Sequence, residues 1–157
     1  MSATATINPR IVEALYSEAL LLSDEVRTAF ALSGRLEDAG ASAGRAEDRT
    51  RIALSCEALR TTTRMMHAIA WLLNHRAFFM GELSEFQLRR HGRLSGDAAV
   101  ADPERLALLD PEVCDLIRAT ERFYARLVRL DDGWRQREAN APSAIAALRE
   151  RLSMASH

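Results

Sequence analysis

The histidines, the cysteines and one arginine–glutamate group are the side chains of this chain that could do chemistry. His67 and His75 lie eight residues apart on one predicted helix. That places them roughly 12 Å apart along the axis, too far to share one ion. Carboxylate-bridged metal sites in helical bundles use Glu-x-x-His on two helices, and the chain contains no such spacing. Cys56 and Cys114 are isolated, with no Cys-x-x-Cys, and no Gly-x-Ser-x-Gly is present. All 21 basic residues are arginine. Without lysine there is no Schiff-base chemistry, no pyridoxal-phosphate attachment and no P-loop lysine. A helical mutase holding a dianionic substrate would use Arg60, Arg64 and Arg76 with Glu57, yet arginines at i and i+4 also arise on any solvated helix face. The expectation is a chain with no catalytic residue, no metal and no cofactor.

Arginine could also meet phosphate. Residues 60–93 hold Arg60, Arg64, Arg76, Arg89, Arg90 and Arg93 against Glu82 and Glu85, a local charge of +4. A DNA-associated regulator would use Arg89, Arg90 and Arg93. Residues 97–115 carry six acids against Arg105, a local charge of −5. Folding the acidic stretch over the basic one would neutralise both. Alternatively, opposed patches of this kind serve protein docking. The net charge of −1 gives no global attraction to nucleic acid or lipid.

Helices must position all of these groups. The 157 residues amount to about one domain. With only 7 glycines and 4 prolines, the composition favours helix. Asn8-Pro9 reads as an N-cap with proline at the first helical position. Ile11, Leu15, Leu22 and Val26, with Val12, Tyr16, Ala19 and Phe30, carry that helix to about Leu32. Gly34, Gly40 and Gly44 mark a mobile loop over 33–45. A second helix spans 47–80 and stops at Gly81, with Ile52, Cys56, Leu59, Met66, Ile69, Leu73 and Ala77 as its apolar positions. Met65, Met66 and Trp71 are expected in the core. Ser84 and Gln87 have capping-box spacing for a short helix ending by Gly92. Asp102-Pro103 opens another short helix. Asp110-Pro111 opens a long one with Val113, Leu116, Ile117, Thr120, Phe123, Tyr124, Leu127 and Leu130 as its stripe, ending or kinking at Asp132-Gly133. Ile145, Leu148 and Leu152 form a weaker amphipathic segment. No strand pattern appears. The fold class is therefore all-α, an antiparallel three-helix bundle with short extra helices. The organisation expected is a disordered N-terminus over 1–7, a bundle domain over 8–132, and a helical or flexible tail over 133–157. Residues 1–8 lack the n- and h-regions of a signal peptide, and the apolar stretch at 65–73 is too short to span a bilayer. Together with two isolated thiols, this points to the cytoplasm, with no membrane partner.

The most distinctive stretch lies in the second helix. Three threonines, Thr61 to Thr63, stand in mid-helix where they are poor helix formers. Around them run Arg60, Thr62, Thr63, Arg64, Met65, Met66, then Ala70, Trp71, Leu72, Leu73, then Arg76, Ala77, Gly81 and Glu82. This stretch, with Arg129-Leu130-Asp131 further on, resembles the alphaproteobacterial family of helical proteins named for the regulator of CtrA degradation. The order of elements matches over residues 9–132. The resemblance implies a homodimeric three-helix bundle. It also implies a non-enzymatic adaptor that delivers cell-cycle response regulators such as CtrA to the ClpXP protease. The expected partner-binding residues are Arg60, Thr63, Arg64, Arg76 and Glu82. Alanine at Arg60 and Arg64 is expected to abolish partner binding while leaving the helical spectrum intact.

Overall fold

The computed structural model describes residues 7–39, 44–95, 100–140 and 144–155. Every regular element is a helix: α1 (Pro9–Ala39), α2 (Arg45–Phe79), α3 (Glu85–His91), α4 (Pro103–Leu106), α5 (Pro111–Ala139) and α6 (Ala144–Ala155). There is no strand among the described residues. The punctuation expected from sequence sits where helix-end chemistry requires it. Asn8 Oδ1 accepts from Ile11 N at 3.0 Å. Ser84 and Gln87 close a reciprocal capping box at the start of α3. Asp102 accepts from the Glu104 amide at 3.0 Å ahead of Pro103. Gly81 leaves α2 with φ +79°, a conformation that costs a side-chain-bearing residue about 1–2 kcal/mol.

α1, α2 and α5 pack against one another in every pairing, and α3 and α4 lean on α2. One apolar cluster joins Val12, Leu15 and Ala19 of α1 with Met65, Ala68 and Leu72 of α2 and Phe123 and Leu127 of α5. A second joins Leu54, Ala101, Val113 and Ile117. Ile7 ends the expected N-terminal tail but is buried in the first cluster, 8% exposed; residues 1–6 lie outside the described residues.

Two helices run further than the glycines suggested. α1 passes through Gly34 to Ala39. Its extension is tied down because Ser33 is buried and donates to Asp110 Oδ2 at 3.4 Å. Of the expected loop over 33–45, residues 40–43 lie outside the described residues. α5 likewise crosses Asp132 and Gly133 to Ala139. Beyond Gly133, Trp134 meets His75 edge-on at 5.6 Å and Arg135 pairs with Asp131 at 3.2 Å. These contacts offset the roughly 1 kcal/mol that a mid-helix glycine costs.

The main departure lies in α2. The stripe of Ile52, Leu59, Met66 and Leu73 faces outward, with exposures between 43% and 69%. Its inward face is instead Ala53, Leu54, Glu57, Thr61, Arg64, Met65, Ala68, Trp71, Leu72 and His75. Met65 and Trp71 take the expected core places, and Met66 does not. The helix thus buries several of its polar residues and exposes several of its largest apolar ones.

Gly92 ends α3 with no room for a side chain. A Cβ there would stand 2.6 Å from the Leu88 carbonyl oxygen and 2.9 Å from Leu88 Cδ1. That carbonyl already accepts the Gly92 amide at 2.8 Å. Gly92→Ala is expected to cost about 1–3 kcal/mol. A thermal melt followed by circular dichroism checks this, and an unchanged midpoint would show that the α3 turn relaxes freely.

Candidate functional site

The outward face of α2 is the first candidate. Between Ser55 and Leu73 the exposed residues are Ser55, Leu59, Thr62, Thr63, Met66, His67, Ala70 and Leu73. None is a carboxylate or an arginine, in a chain where 27% of residues are charged. The large side chains at 52, 59, 66, 73 and 80 recur every seven residues. That is the spacing by which one helix presents a continuous ridge to another. The ridge is about 42 Å long. Small residues beside it, Thr62, Thr63 and Ala70, leave room for close approach.

Behind that face lies a buried polar framework. Arg64 is 3% exposed. It donates to Thr120 Oγ1 at 2.8 Å and lies 3.5 Å from Glu121 Oε1. Burial lowers the pKa of its guanidinium, with Glu121 and Glu57 acting in the opposite sense. Glu121 also accepts the Ala101 amide at 2.6 Å. Glu57, fully buried, accepts the Asp102 amide at 3.4 Å and sits 3.6 Å from Arg105. Arg60 donates to the Val100 carbonyl at 2.9 Å. At the other end, Asp131 accepts from Trp71 Nε1 at 3.1 Å, from the Leu94 amide at 3.3 Å and from Arg135 at 3.2 Å. Tyr124 donates to the Ser95 carbonyl at 2.9 Å. Side chains of α2 and α5 therefore hold the backbone of the α3–α4 connection at 94–95 and again at 100–102.

The expected site residues scatter under this geometry. Thr63 and Glu82 are exposed. Arg60 is half-buried and tied to Val100. Arg76 pairs with Glu13 at 2.6 Å and lies 4.5 Å from the Tyr16 ring centroid, so it joins α2 to α1. Its pKa is raised, first by the hydrogen bond to Glu13. Arg64 is not on a surface face. It sits inside, where it faces Glu121 and donates to Thr120. The grouping of Arg60, Thr63, Arg64 and Arg76 as one contact face is corrected accordingly. Glu121 and Asp131 were missed as partners. The signal for Asp131 was its place one helical turn past Leu127 on the apolar stripe of α5.

The other chemical candidates also resolve. A hollow of ≈ 430 Å³ touches Arg64 and Glu121, but Glu57 and Arg60 do not line it. Among the described residues no three His, Cys, Asp or Glu side chains converge as metal ligands. Cys56 and Cys114 are free and half-buried. Burial raises the thiol pKa of Cys114, whose Sγ donates to the Leu106 carbonyl at 3.2 Å. Within each charged stretch one arginine finds a counter-charge at close range: Arg89 pairs with Glu85 at 2.7 Å, and Arg105 lies 3.8 Å from Asp102. Among the described residues no helix is long and apolar enough to cross a membrane.

Fold and site together define an all-helical protein whose charged motif residues largely serve its own packing and whose longest helix, between residues 55 and 73, turns an uncharged face to solvent. The chain belongs to the family described as "Protein of unknown function (DUF1465)", whose profile matches residues 3–156. No curated protein and no solved structure matches it.

Proposed function

We propose that this chain is a non-enzymatic adaptor of regulated proteolysis. It would act in the cytoplasm and help deliver a CtrA-like response regulator to the ClpXP protease. Its long helices would form an antiparallel three-helix bundle working as a homodimer. The observation that carries a docking role is the uncharged outward face of α2. Interface cores are depleted in charge and enriched in methionine and aromatic residues. A helix that hides Glu57, Arg64 and His75 while exposing Ile52, Leu59, Met66 and Leu73 meets the first condition and, through Met66, part of the second. The resemblance of the second-helix motif to the regulator of CtrA degradation supplies the pathway. Docking needs a rigid scaffold and a desolvable patch rather than a reactive group.

The test has two parts. Purified ClpXP and a CtrA-like client are incubated with and without this chain, in the presence of the second, receiver-domain adaptor that the resemblance to the regulator of CtrA degradation implies works beside it. Faster client loss that depends on this chain is expected; no change, with the other adaptor shown active, would overturn the proteolysis role. Separately, sedimentation is expected to give twice the 17.5 kDa chain mass. Leu59→Glu with Met66→Glu is expected to give a monomer with an unchanged helical spectrum. A wild-type monomer at micromolar concentration would overturn the homodimer. A dimer that survives both charges would move its interface off α2.

A further inference from the structure

A second, smaller feature lies at the edge of the same helix. A hollow of ≈ 230 Å³ opens between α2 and the end of α3, lined by His67, Trp71, Asn74, His91, Arg93 and Leu94 among others. None of the described residues that line it is acidic. Among the described residues, the side chains of His67, Asn74, His91 and Arg93 make no hydrogen bond and no ion pair. This contrasts with the nearby polar groups. Arg89 pairs with Glu85, Arg135 pairs with Asp131, and Trp71 Nε1 is bonded to Asp131. Asp131, which holds Trp71 and Leu94 of the hollow's floor, is itself neutralised by Arg135.

Four side chains able to donate therefore surround one small cavity, and no carboxylate among the described residues satisfies them. The guanidinium of Arg93 supplies a planar fork suited to oxyanions. Asn74 adds two amide donors, and each imidazole adds at least one. The cavity is smaller than the 300–1,000 Å³ usual for drug-sized ligands, so it fits a compact head group. Its floor of Ala70, Trp71 and Leu94 is apolar. We infer that this hollow binds a small phosphate-bearing anion, held by Arg93, Asn74, His67 and His91 over the Trp71 floor. The inference does not depend on the adaptor reading, because the hollow is built from a single chain.

The phosphate could be inorganic or the head of an organic monoester, and the test separates these. The full chain is titrated with inorganic phosphate, with phenyl phosphate and with sodium chloride at matched ionic strength and one fixed pH. The histidine ring resonances are followed by NMR. Those of His67 and His91 are expected to shift and saturate by roughly 10 mM of either phosphate, as a small ligand held by a few charge-assisted bonds would. His75 does not line the hollow and is expected to shift less than either. Tighter binding of phenyl phosphate assigns a monoester whose body rests on the apolar floor; equal binding assigns the inorganic ion. Arg93→Gln is expected to weaken binding about tenfold or more, and His67→Glu to abolish it. Both residues are exposed, so the fold persists in each variant. Shifts that never saturate, shifts that chloride reproduces, or unchanged binding in Arg93→Gln would overturn the inference.

Discussion

Arg64→Ala is expected to lower the unfolding free energy by about 3–5 kcal/mol, the usual cost of removing one partner from a buried charge pair. At this chain length that corresponds to a midpoint lower by roughly 10 °C. Arg64 reaches from α2 to α5, donating to Thr120 and facing Glu121. Without it, Glu57 and Glu121 remain as carboxylates at the α2–α5 contact with one fewer cation between them. The fully buried Glu57 would keep only Arg105, at 3.6 Å. The Ala101 and Asp102 amides rely on those same carboxylates, so the connection into α4 would loosen with them. Arg64→Lys keeps the charge but loses the fork, and is expected to recover only part of the loss. Thr63→Ala, one position away and exposed, is expected to stay within about 0.5 kcal/mol. Thermal melts of the three variants decide the matter. An Arg64→Ala chain melting beside Thr63→Ala would show that the buried pair contributes nothing. Arg64 is therefore a poor position at which to test docking. Loss of partner binding in Arg64→Ala would follow from a loosened fold, so Leu59 and Met66 are the positions that report on a surface.

Much of the helix placement was legible because helix ends obey local chemistry. Asn8, Ser84 and Asp102 are caps whose partners lie within a few residues, and Gly81 is a stop that needs no tertiary context. The errors arose where local rules and tertiary packing disagree. Gly34 and Gly133 read as breaks, yet helix continues through both because Ser33 and Trp134, beside them, are held by contacts distant in sequence. The orientation of α2 was the larger error. Its apolar residues at 52, 59, 66 and 73 form a cleaner stripe than the buried set, so periodicity alone assigned the wrong face to the core. The true core face is recognisable only once α5 brings Thr120, Glu121 and Asp131 across to meet Arg64 and Trp71, and no spacing within α2 records that. The candidate site shares the same fate. Arg64 looked like a recognition residue for the very reason that makes it a packing residue, a lone cation beside threonines on an interrupted apolar helix.

Acidification is expected to remove about 3 kcal/mol of stability through His75 between pH 6.5 and pH 4. His75 is 1% exposed, its ring 4.0 Å from that of Trp71 and edge-on to Trp134 at 5.6 Å. Its Nε2 has no hydrogen-bond partner among the described residues. Burial pushes its pKa from 6.5 down to about 4; Asp131 opposes this and Arg135 adds to it. The folded chain therefore resists the proton that the unfolded chain accepts. The stability is fully present above pH 6.5, where both states are neutral, and is lost as pH falls towards 4 and only the unfolded state takes up the proton. Carboxylates titrate over the lower part of the same window, so the parent curve alone is insufficient. His75→Phe isolates the effect. The phenyl ring keeps the contacts with Trp71 and Trp134, and Nε2 gives up no bond. Near pH 7.5 the variant is expected to lie within about 1.5 kcal/mol of the parent. The difference in stability should then move in the variant's favour by about 3 kcal/mol as pH falls to 4, because the carboxylate contribution is common to both chains and cancels. Denaturant unfolding at a series of pH values measures that difference directly. Parallel curves would mean that His75 is protonated inside the fold without cost, and that water or a shift of Asp131 reaches the imidazole between its two tryptophans.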